Sequence, residues 1–293
     1  MIKFVILLTL IKIVYVYSLI TNYNKVLSLI SDYYDIVHNP SILDNIKNEI
    51  WDESCSQAKE VLSNKLQILT FQNDEIHKNF QLLGQSSDSD ILLNEIHNID
   101  FLSSKVASVK LSFTKGQHKY TDLLSLLETD NKFKIVQRLR SKMTSTSSSL
   151  FPEELDDHDD GIDTQSELLN LAAAYIYANH RSDSELVSKI FHSSSNLYSV
   201  DPTNGFISYR PLESYKEMMS TRPSSFDKHV LKYDKIIKCD IASKTSALLT
   251  VQMGLPHCDG RLFRDHLFCC YYDDSWNIVS KTWALNKVEN VKL

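Results

Sequence analysis

Residues 263–281, F-R-D-H-L-F-C-C-Y-Y-D-D-S-W-N-I-V-S-K, decide the fold class of this 293-residue chain. Side chains alternate with a period of two before Asp273 and again after Ser275. This period is typical of β-strands, and the short polar segment between the two runs predicts a turn, so the stretch is expected to form an antiparallel hairpin. Two further strands are predicted at about 228–239 and 245–254, which completes a four-stranded antiparallel meander.

Helices and a short hairpin are predicted upstream of the meander. The pattern predicts three helices, at 166–176, 185–191 and 212–219, and two strands, at 197–200 and 206–209. The two strands flank a turn with the sequence D-P-T-N-G. Helices followed by an antiparallel meander indicate an α+β domain, which we expect to cover residues 164–293.

The residues before 144 follow a helical period. Apolar side chains recur every three or four positions from Leu92 to Phe113, and Gly116 follows as a candidate C-cap. Shorter periodic pieces occur at 120–127 and 133–143. We therefore expect residues 20–143 to form an antiparallel helical bundle, with no internal repeat along the chain.

Residues 144–163 are rich in Ser and Thr and then in Asp and Glu, which predicts a mobile linker between the two domains. Five residues in and after it match positions of a calcium-binding loop: Asp156, His158, Asp160, Gly161 and Glu167. Histidine is a poor calcium ligand, and Thr164 with Glu167 instead forms a helix capping box. We therefore expect a capped helix after the linker and no metal site.

The N-terminal residues 1–18 have the features of a cleaved secretory signal peptide. Lys3 precedes the apolar run Phe4–Ile11, and a cleavage site is available after Ser18. Lys12 interrupts the apolar run, so an uncleaved membrane anchor and a buried first helix are the alternatives. The sequence predicts a protein that is secreted or in the lumen of the secretory pathway, with no stable membrane span after signal removal.

Charge and cysteine content restrict the remaining function classes. The net charge is −6 and the basic residues form no stripe, which disfavours nucleic-acid binding. Cys269 and Cys270 are adjacent in a predicted strand and should point to opposite faces. Cys239 lies two strands from Cys269, beyond disulfide reach. We expect no disulfide within the C-terminal domain, and Cys258, in a predicted exposed turn, as its most reactive thiol.

Three segments of the C-terminal domain carry a resemblance to a known superfamily: A-Y-I-Y-A-N at 174–179, I-F-H at 190–192 and the hairpin at 263–281. The last 130 residues or so resemble the nuclear transport factor 2-like, or ketosteroid-isomerase-like, superfamily, in particular its lumazine-binding and polyketide-cyclase-like branch. The resemblance implies a cone-shaped domain, in which a bent sheet wraps around a helix and leaves a conical pocket. The superfamily contains isomerases, dehydratases, cyclases and members without catalysis, so the fold does not decide the function.

Asp265 and His192 are the candidate catalytic residues that the resemblance implies. Asp265 alternates with Phe263 and Leu267, so it shares their face, where a buried carboxyl could exchange a proton. His192 could act as a general base. The expected pocket lining is Tyr175, Tyr198, Tyr209, Phe263, Leu267 and Trp283. The alternatives are a structural hydrogen bond for Asp265, a helix-capping role for His192 and plain packing for the tyrosines.

Two functions are consistent with these features. The first is a non-enzymatic protein whose cone domain binds a small apolar ligand or forms a homodimer through the open face of its sheet, without a cofactor. The second is an isomerase- or dehydratase-like enzyme that uses Asp265 and His192. The two are distinguished by whether both side chains point into one pocket, about 6–8 Å apart.

Overall fold

The computed structural model describes residues 2–42, 49–52, 57–62, 65–70, 94–115, 118–144, 164–201, 203–224, 231–255 and 261–287. The helices are α1 (Ile2–His38), α2 (Thr164–Arg181), α3 (Ser184–Ile190) and α4 (Leu212–Thr221). The strands of the first half are β1 (Gln57–Leu62), β2 (Lys65–Thr70), β3 (Asn94–Ser103), β4 (Val106–Lys115), β5 (His118–Thr129) and β6 (Lys132–Thr144). Those of the second half are β7 (Phe191–Val200), β8 (Ile207–Pro211), β9 (Lys235–Ser243), β10 (Ser246–Gly254), β11 (Arg261–Tyr272) and β12 (Ser275–Lys287).

The strands form two six-stranded sheets with the same strand order. The first sheet runs β2-β1-β6-β5-β4-β3 and the second runs β8-β7-β12-β11-β10-β9. In each, a hairpin precedes a four-stranded antiparallel meander, and the last meander strand lies parallel to the first hairpin strand. Helix α1 packs on the first sheet, and α2, α3 and α4 pack on the second. The α+β class is confirmed, and it occurs twice, in an N-terminal unit (2–144) and a C-terminal unit (164–287).

The expected helical bundle over residues 20–143 is wrong, because the structure places the first sheet there. Strands β4 and β5 are buried along almost their whole length on both faces. A strand buried on both faces carries apolar residues at odd and even positions, and its periodicity cannot be distinguished from that of a buried helix. The apolar steps from Leu92 to Phe113 cross the turn between β3 and β4 and do not follow one helix.

The expectation of no internal repeat is also wrong, and the sequence does contain a trace of the repeat. Asp122 and Asp265 are 143 positions apart, and the same spacing relates F-K-I-V-Q-R at 133–138 to W-N-I-V-S-K at 276–281. These segments lie at the same places in β5–β6 and β11–β12. The sequence match is short because it is confined to the β5–β6 hairpin and the corresponding β11–β12 hairpin.

The predicted hairpin within residues 263–281 is confirmed as β11 and β12. Its two turn residues, Asp273 and Asp274, have φ angles of 52° and 56°, and the corresponding Asp130 and Asn131 have 49° and 63°. Positive φ at both turn residues matches the right-handed twist of the strands, and Asp and Asn tolerate it better than most residues. The predicted meander is continuous, although β9 begins only at Lys235.

The two sheets pack against each other through the faces that point away from their helices, which we call the outer faces. Leu123 and Leu139 of the first sheet share a buried cluster with four residues of the second, Leu248, Phe268, Cys270 and Val279. The contacts are reciprocal, since β3 lies against β11 and β12 while β9 lies against β5 and β6. This is the pattern of a two-fold symmetric dimer. The face expected to form a homodimer is therefore covered by the N-terminal unit of the same chain.

Ion pairs add to the apolar contacts between the units. Lys238 Nζ lies 2.7 Å from Asp100 Oδ2 and 3.2 Å from Asp240 Oδ2, and Lys110 Nζ lies 2.7 Å from Asp240 Oδ1. His266 is fully buried in the same region, and burial lowers its pKa to about 3. The imidazole is therefore neutral at physiological pH, and it lies in an interface that also contains direct hydrogen bonds, such as Ser246 Oγ to Ser141 Oγ at 3.1 Å.

Helix α1 runs without a break through Ser18, the expected cleavage position. Its later turns bury an apolar face on the first sheet, through Val26, Ile30, Tyr33 and Ile36. Among the residues whose side chains are described, no helix is long and apolar enough to cross a membrane. Signal cleavage and export remain predictions.

Several sequence predictions fall on residues that are not described. The linker 144–163, apart from Thr144, and the calcium-loop residues 156–161 lie outside the described ranges, as does Cys258. Cys269 and Cys270 are free thiols, and they are buried on opposite faces of the second sheet, as the strand pattern predicts.

Candidate ligand-binding site

Three polar side chains meet between the second sheet and helix α2, which packs on the inner face of that sheet. Asp265 comes from β11, Lys281 from β12 and Tyr175 from α2. The strand register pairs Leu267 with Lys281 and Asp265 with Trp283, so side-chain alternation places all four strand residues on one face. Tyr175 belongs to the buried stripe of α2 and points at this face.

The three groups form a hydrogen-bonded chain. Tyr175 Oη donates to Asp265 Oδ2 at 2.6 Å, and Lys281 Nζ donates to Tyr175 Oη at 2.8 Å. Lys281 Nζ is 3.7 Å from Asp265 Oδ2. The other carboxylate oxygen, Asp265 Oδ1, is buried and has no hydrogen-bond partner among the described residues. The site therefore contains one buried acceptor that no described residue satisfies.

Aromatic rings surround the lysine of this chain. Lys281 Nζ lies 5.4 Å from the ring centroid of Tyr175 and 5.1 Å from those of Tyr215 and Trp283, distances at which cation–π attraction holds the ammonium. Tyr215, from α4, donates to Asn179 Oδ1 at 2.6 Å, and Asn179 Nδ2 donates to the Tyr175 carbonyl at 3.0 Å. These bonds fix the rings in place.

Burial dominates the electrostatics of the site. It raises the pKa of Asp265, and the charge of Lys281 and the Tyr175 hydrogen bond offset only part of this effect. Burial also raises the pKa of Tyr175 well above its usual value, and the nearby Asp265 adds to the shift. Tyr175 therefore keeps its proton and acts as a hydrogen-bond donor, and Asp265 is a carboxyl that can accept a hydrogen bond or hold a proton.

His192 does not belong to this site. Its neighbour Phe191 lies in the inner cluster, so the alternation of β7 turns His192 to the outer face. There its ring lies 5.3 Å from Tyr272 and its Nδ1 is 2.6 Å from Ser194 Oγ. Burial lowers the pKa of His192. The structure thus separates His192 from Asp265, and the acid–base pair expected for an enzyme is not assembled.

Of the six residues expected to line a pocket, the structure places four at the inner cluster and two elsewhere. Tyr175, Phe263, Leu267 and Trp283 all lie in or against the inner cluster. Tyr198 is fully buried in a second cluster between the two sheets, and Tyr209, 47% exposed, lies beside it on β8. The sequence analysis missed Lys281 and Tyr215. The alternation of Lys281 with Trp283 was a signal for the lysine, whereas nothing local marks Tyr215.

The N-terminal unit holds a matching cluster of Tyr33 on α1, Asp122 on β5 and Arg140 on β6. Tyr33 Oη donates to Asp122 Oδ2 at 2.5 Å, and Arg140 donates to both carboxylate oxygens, through Nε and Nη2, at 2.7 Å each. Burial would raise the pKa of Asp122, but the charge and hydrogen bonds of Arg140 outweigh it and hold that pKa below its usual value. Both oxygens of Asp122 are occupied.

A cavity of about 250 Å³ lies elsewhere, between α2 and the segment that leads into β9. Its lining includes Ile176, Tyr177, Leu231 and the pair His180–Asp234, whose Nε2 and Oδ2 atoms are 2.9 Å apart. Asp234 also accepts a hydrogen bond from the Gly254 amide, which ties α2 to the sheet. The described residues contain no group of His, Cys, Asp and Glu side chains that could hold a metal ion.

Comparison with known proteins places the chain in a family. The family model described as "Putative lumazine-binding" matches residues 57–140 and 163–284, more than two thirds of the chain, with one segment in each unit. No curated protein matches the sequence.

Solved structures similar to the chain include NTF2-like proteins of unknown function from Silicibacter pomeroyi (20% identity, TM-score 0.37, covering 42% of this chain and 95% of that one) and Shewanella baltica (19%, 0.36, 42% and 94%). Another is a ketosteroid isomerase-like protein from Erwinia carotovora atroseptica (12%, 0.31, 42% and 96%). The resemblance of the C-terminal sequence to the lumazine-binding branch is confirmed, and the chain belongs to the family described as putative lumazine-binding.

Proposed function

We propose that the C-terminal unit is a non-enzymatic binding site for a small, flat and largely apolar ligand with one polar edge. The observation that carries the proposal is the buried, unpartnered Oδ1 of Asp265. An unsatisfied buried acceptor costs about 1–3 kcal/mol, and a ligand N–H or O–H would remove that cost. The apolar and aromatic surroundings of Asp265 suit the rest of such a ligand.

The polar groups of the site suit a heterocycle in which an N–H adjoins a carbonyl, as in the lumazine ring. Asp265 Oδ1 would accept from the ligand N–H, and Lys281 Nζ would donate to the adjacent carbonyl oxygen. Tyr215 and Trp283, together with the half-buried Phe263, would provide apolar walls. The family description, which mentions lumazine binding, supports this choice of ligand class.

The other expected functions receive less support. An isomerase or dehydratase would need a second group that transfers a proton beside Asp265. The expected group, His192, points to the opposite face of the sheet. A homodimer through the outer face would have to displace the N-terminal unit. We also propose that the chain enters the secretory pathway, which is supported by the apolar run behind Lys3.

Asp265→Asn is expected to weaken lumazine binding about tenfold or more, which isothermal titration calorimetry can measure. The carbonyl of the introduced amide would accept the Tyr175 hydrogen bond, so the NH₂ group of that amide would face the N–H of the ligand, donor against donor. One lost and mismatched hydrogen bond corresponds to about 1.4 kcal/mol or more.

The matched control for this experiment is Asp274→Asn, in the exposed β11–β12 turn, where asparagine tolerates the positive φ. It should leave the lumazine affinity unchanged. Equal affinities of the Asp265→Asn variant and the unsubstituted protein would refute Asp265 as the binding group. Absence of any heat of binding at millimolar lumazine would refute the ligand class.

A further inference from the structure

The two units share a tyrosine–aspartate hydrogen bond but differ at the position paired with the aspartate, and also at the position of Lys281, where the N-terminal unit has Arg138. Each has a tyrosine on its long helix that donates to an aspartate on the third strand of the meander. The residue paired with that aspartate across the hairpin is Arg140 in the N-terminal unit and Trp283 in the C-terminal unit. The same place in the repeat therefore holds a cation in one unit and an aromatic ring in the other.

Arg140 fills the space beside its aspartate. Its guanidinium binds both oxygens of Asp122, and its Cζ atom lies 5.1 Å from the Phe113 ring and 5.6 Å from the Tyr120 ring. A planar guanidinium matches a carboxylate with two parallel bonds, which an ammonium cannot do. The aspartate of the N-terminal unit is thus saturated by its own chain.

Trp283 leaves its aspartate open. An indole offers one N–H donor and no charge, so it cannot replace the guanidinium fork. Lys281 lies two residues away, and its Nζ is 3.7 Å from Oδ2 of Asp265. Asp265 Oδ1 has no hydrogen-bond partner among the described residues, and the residue paired with Asp265 across the hairpin is Trp283.

We propose that the position shared by Arg140 and Trp283 decides whether a unit can take a ligand. Arg140 closes the N-terminal unit, Trp283 opens the C-terminal unit, and the full chain binds one ligand molecule. The inference rests on the proposed function for its ligand, but the state of each aspartate can be measured without any ligand. It assigns a structural role to the first copy of the site and a binding role to the second.

The test is Trp283→Arg in the full chain, with two measurements. Calorimetry should show one lumazine molecule bound per unsubstituted chain. In the variant the affinity for lumazine should be weaker by tenfold or more, because the introduced guanidinium covers Asp265 Oδ1. Carboxyl-detected NMR titration should show the pKa of Asp265 move from above its ordinary value to below it, as for Asp122. Phe206→Arg, at a site 59% exposed, adds the same charge and should change neither result.

The two measurements separate the possible failures. If the unsubstituted protein does not bind lumazine, the proposed function fails, and the Asp265 titration alone decides the inference. A pKa of Asp265 that stays raised in a folded Trp283→Arg variant would overturn it, as would two bound lumazine molecules per unsubstituted chain. If Trp283→Arg does not fold, Arg140→Lys tests the same position. A single ammonium cannot cover both oxygens, so the pKa of Asp122 should rise, and an unchanged value would overturn the inference.

Discussion

Asp122→Asn is expected to lower the free energy of unfolding by about 3–5 kcal/mol, as typically follows when a buried ion pair loses one partner. The Arg140 guanidinium is 2% exposed and donates to both oxygens of Asp122, so the substitution leaves its charge without a counter-charge in this pair. Tyr33 also loses a charged acceptor. Urea unfolding followed by circular dichroism measures the change.

Asp130→Asn is the matched control for this substitution. Asp130 is exposed in the turn between β5 and β6 and has a φ of 49°, which asparagine tolerates. We expect it to change the unfolding free energy by no more than about 0.5 kcal/mol. If the two variants were equally stable, the buried pair would not hold the N-terminal unit together.

Phe268→Ala is expected to destabilise the protein by about 3–5 kcal/mol, the usual cost of removing a fully buried phenylalanine. Phe268 lies on the outer face of the second sheet and has no exposed surface, because Leu123 and Leu139 of the first sheet share its cluster. If the C-terminal unit stood alone, this ring would lie on an open surface. Chemical denaturation, followed by far-ultraviolet circular dichroism and by fluorescence, measures the change in the free energy of unfolding.

Phe206→Ala removes the same ring from a position that is 59% exposed and should cost no more than about 0.5 kcal/mol. The difference between the two alanine variants therefore reports the burial of the outer face. Comparable small effects for both would mean that the two sheets do not pack against each other.

The fold of the C-terminal unit could be predicted because its strands differ enough between faces to show their period. In β11, Asp265 and Arg264 interrupt the apolar residues, and the Asp273-Asp274 turn marks the hairpin. In β5, by contrast, Leu123, Leu124, Leu126 and Leu127 occupy both faces. Burial on both faces removed the alternation from β4 and β5, and the turn between β5 and β6 was not recognised as a hairpin signal.

From the sequence, strand alternation could assign site residues to a face of the sheet, but it could not identify contacts from the helices. Alternation placed Asp265 on the inner face with Phe263 and Leu267, and the structure confirms it. Strand β7 begins at Phe191, where the sequence pattern predicted the end of a helix, and its alternation turns His192 to the opposite face. Tyr215 reaches the site from a helix far along the chain, and no local pattern encodes that contact. The unpartnered oxygen of Asp265 depends on side chains from α2 and β12, and the sequence of β11 does not encode it.

In our proposal one chain carries two copies of the same buried aspartate, Asp122 with both oxygens bonded and Asp265 with one oxygen free for a ligand. Carboxyl-detected NMR titration of the unsubstituted protein, with Asp122 and Asp265 assigned, tests it in a single sample. We expect Asp122 to titrate below the ordinary aspartate pKa of 3.8 and Asp265 to titrate above it. Both residues titrating on the same side of that value, or in the reverse order, would contradict the account.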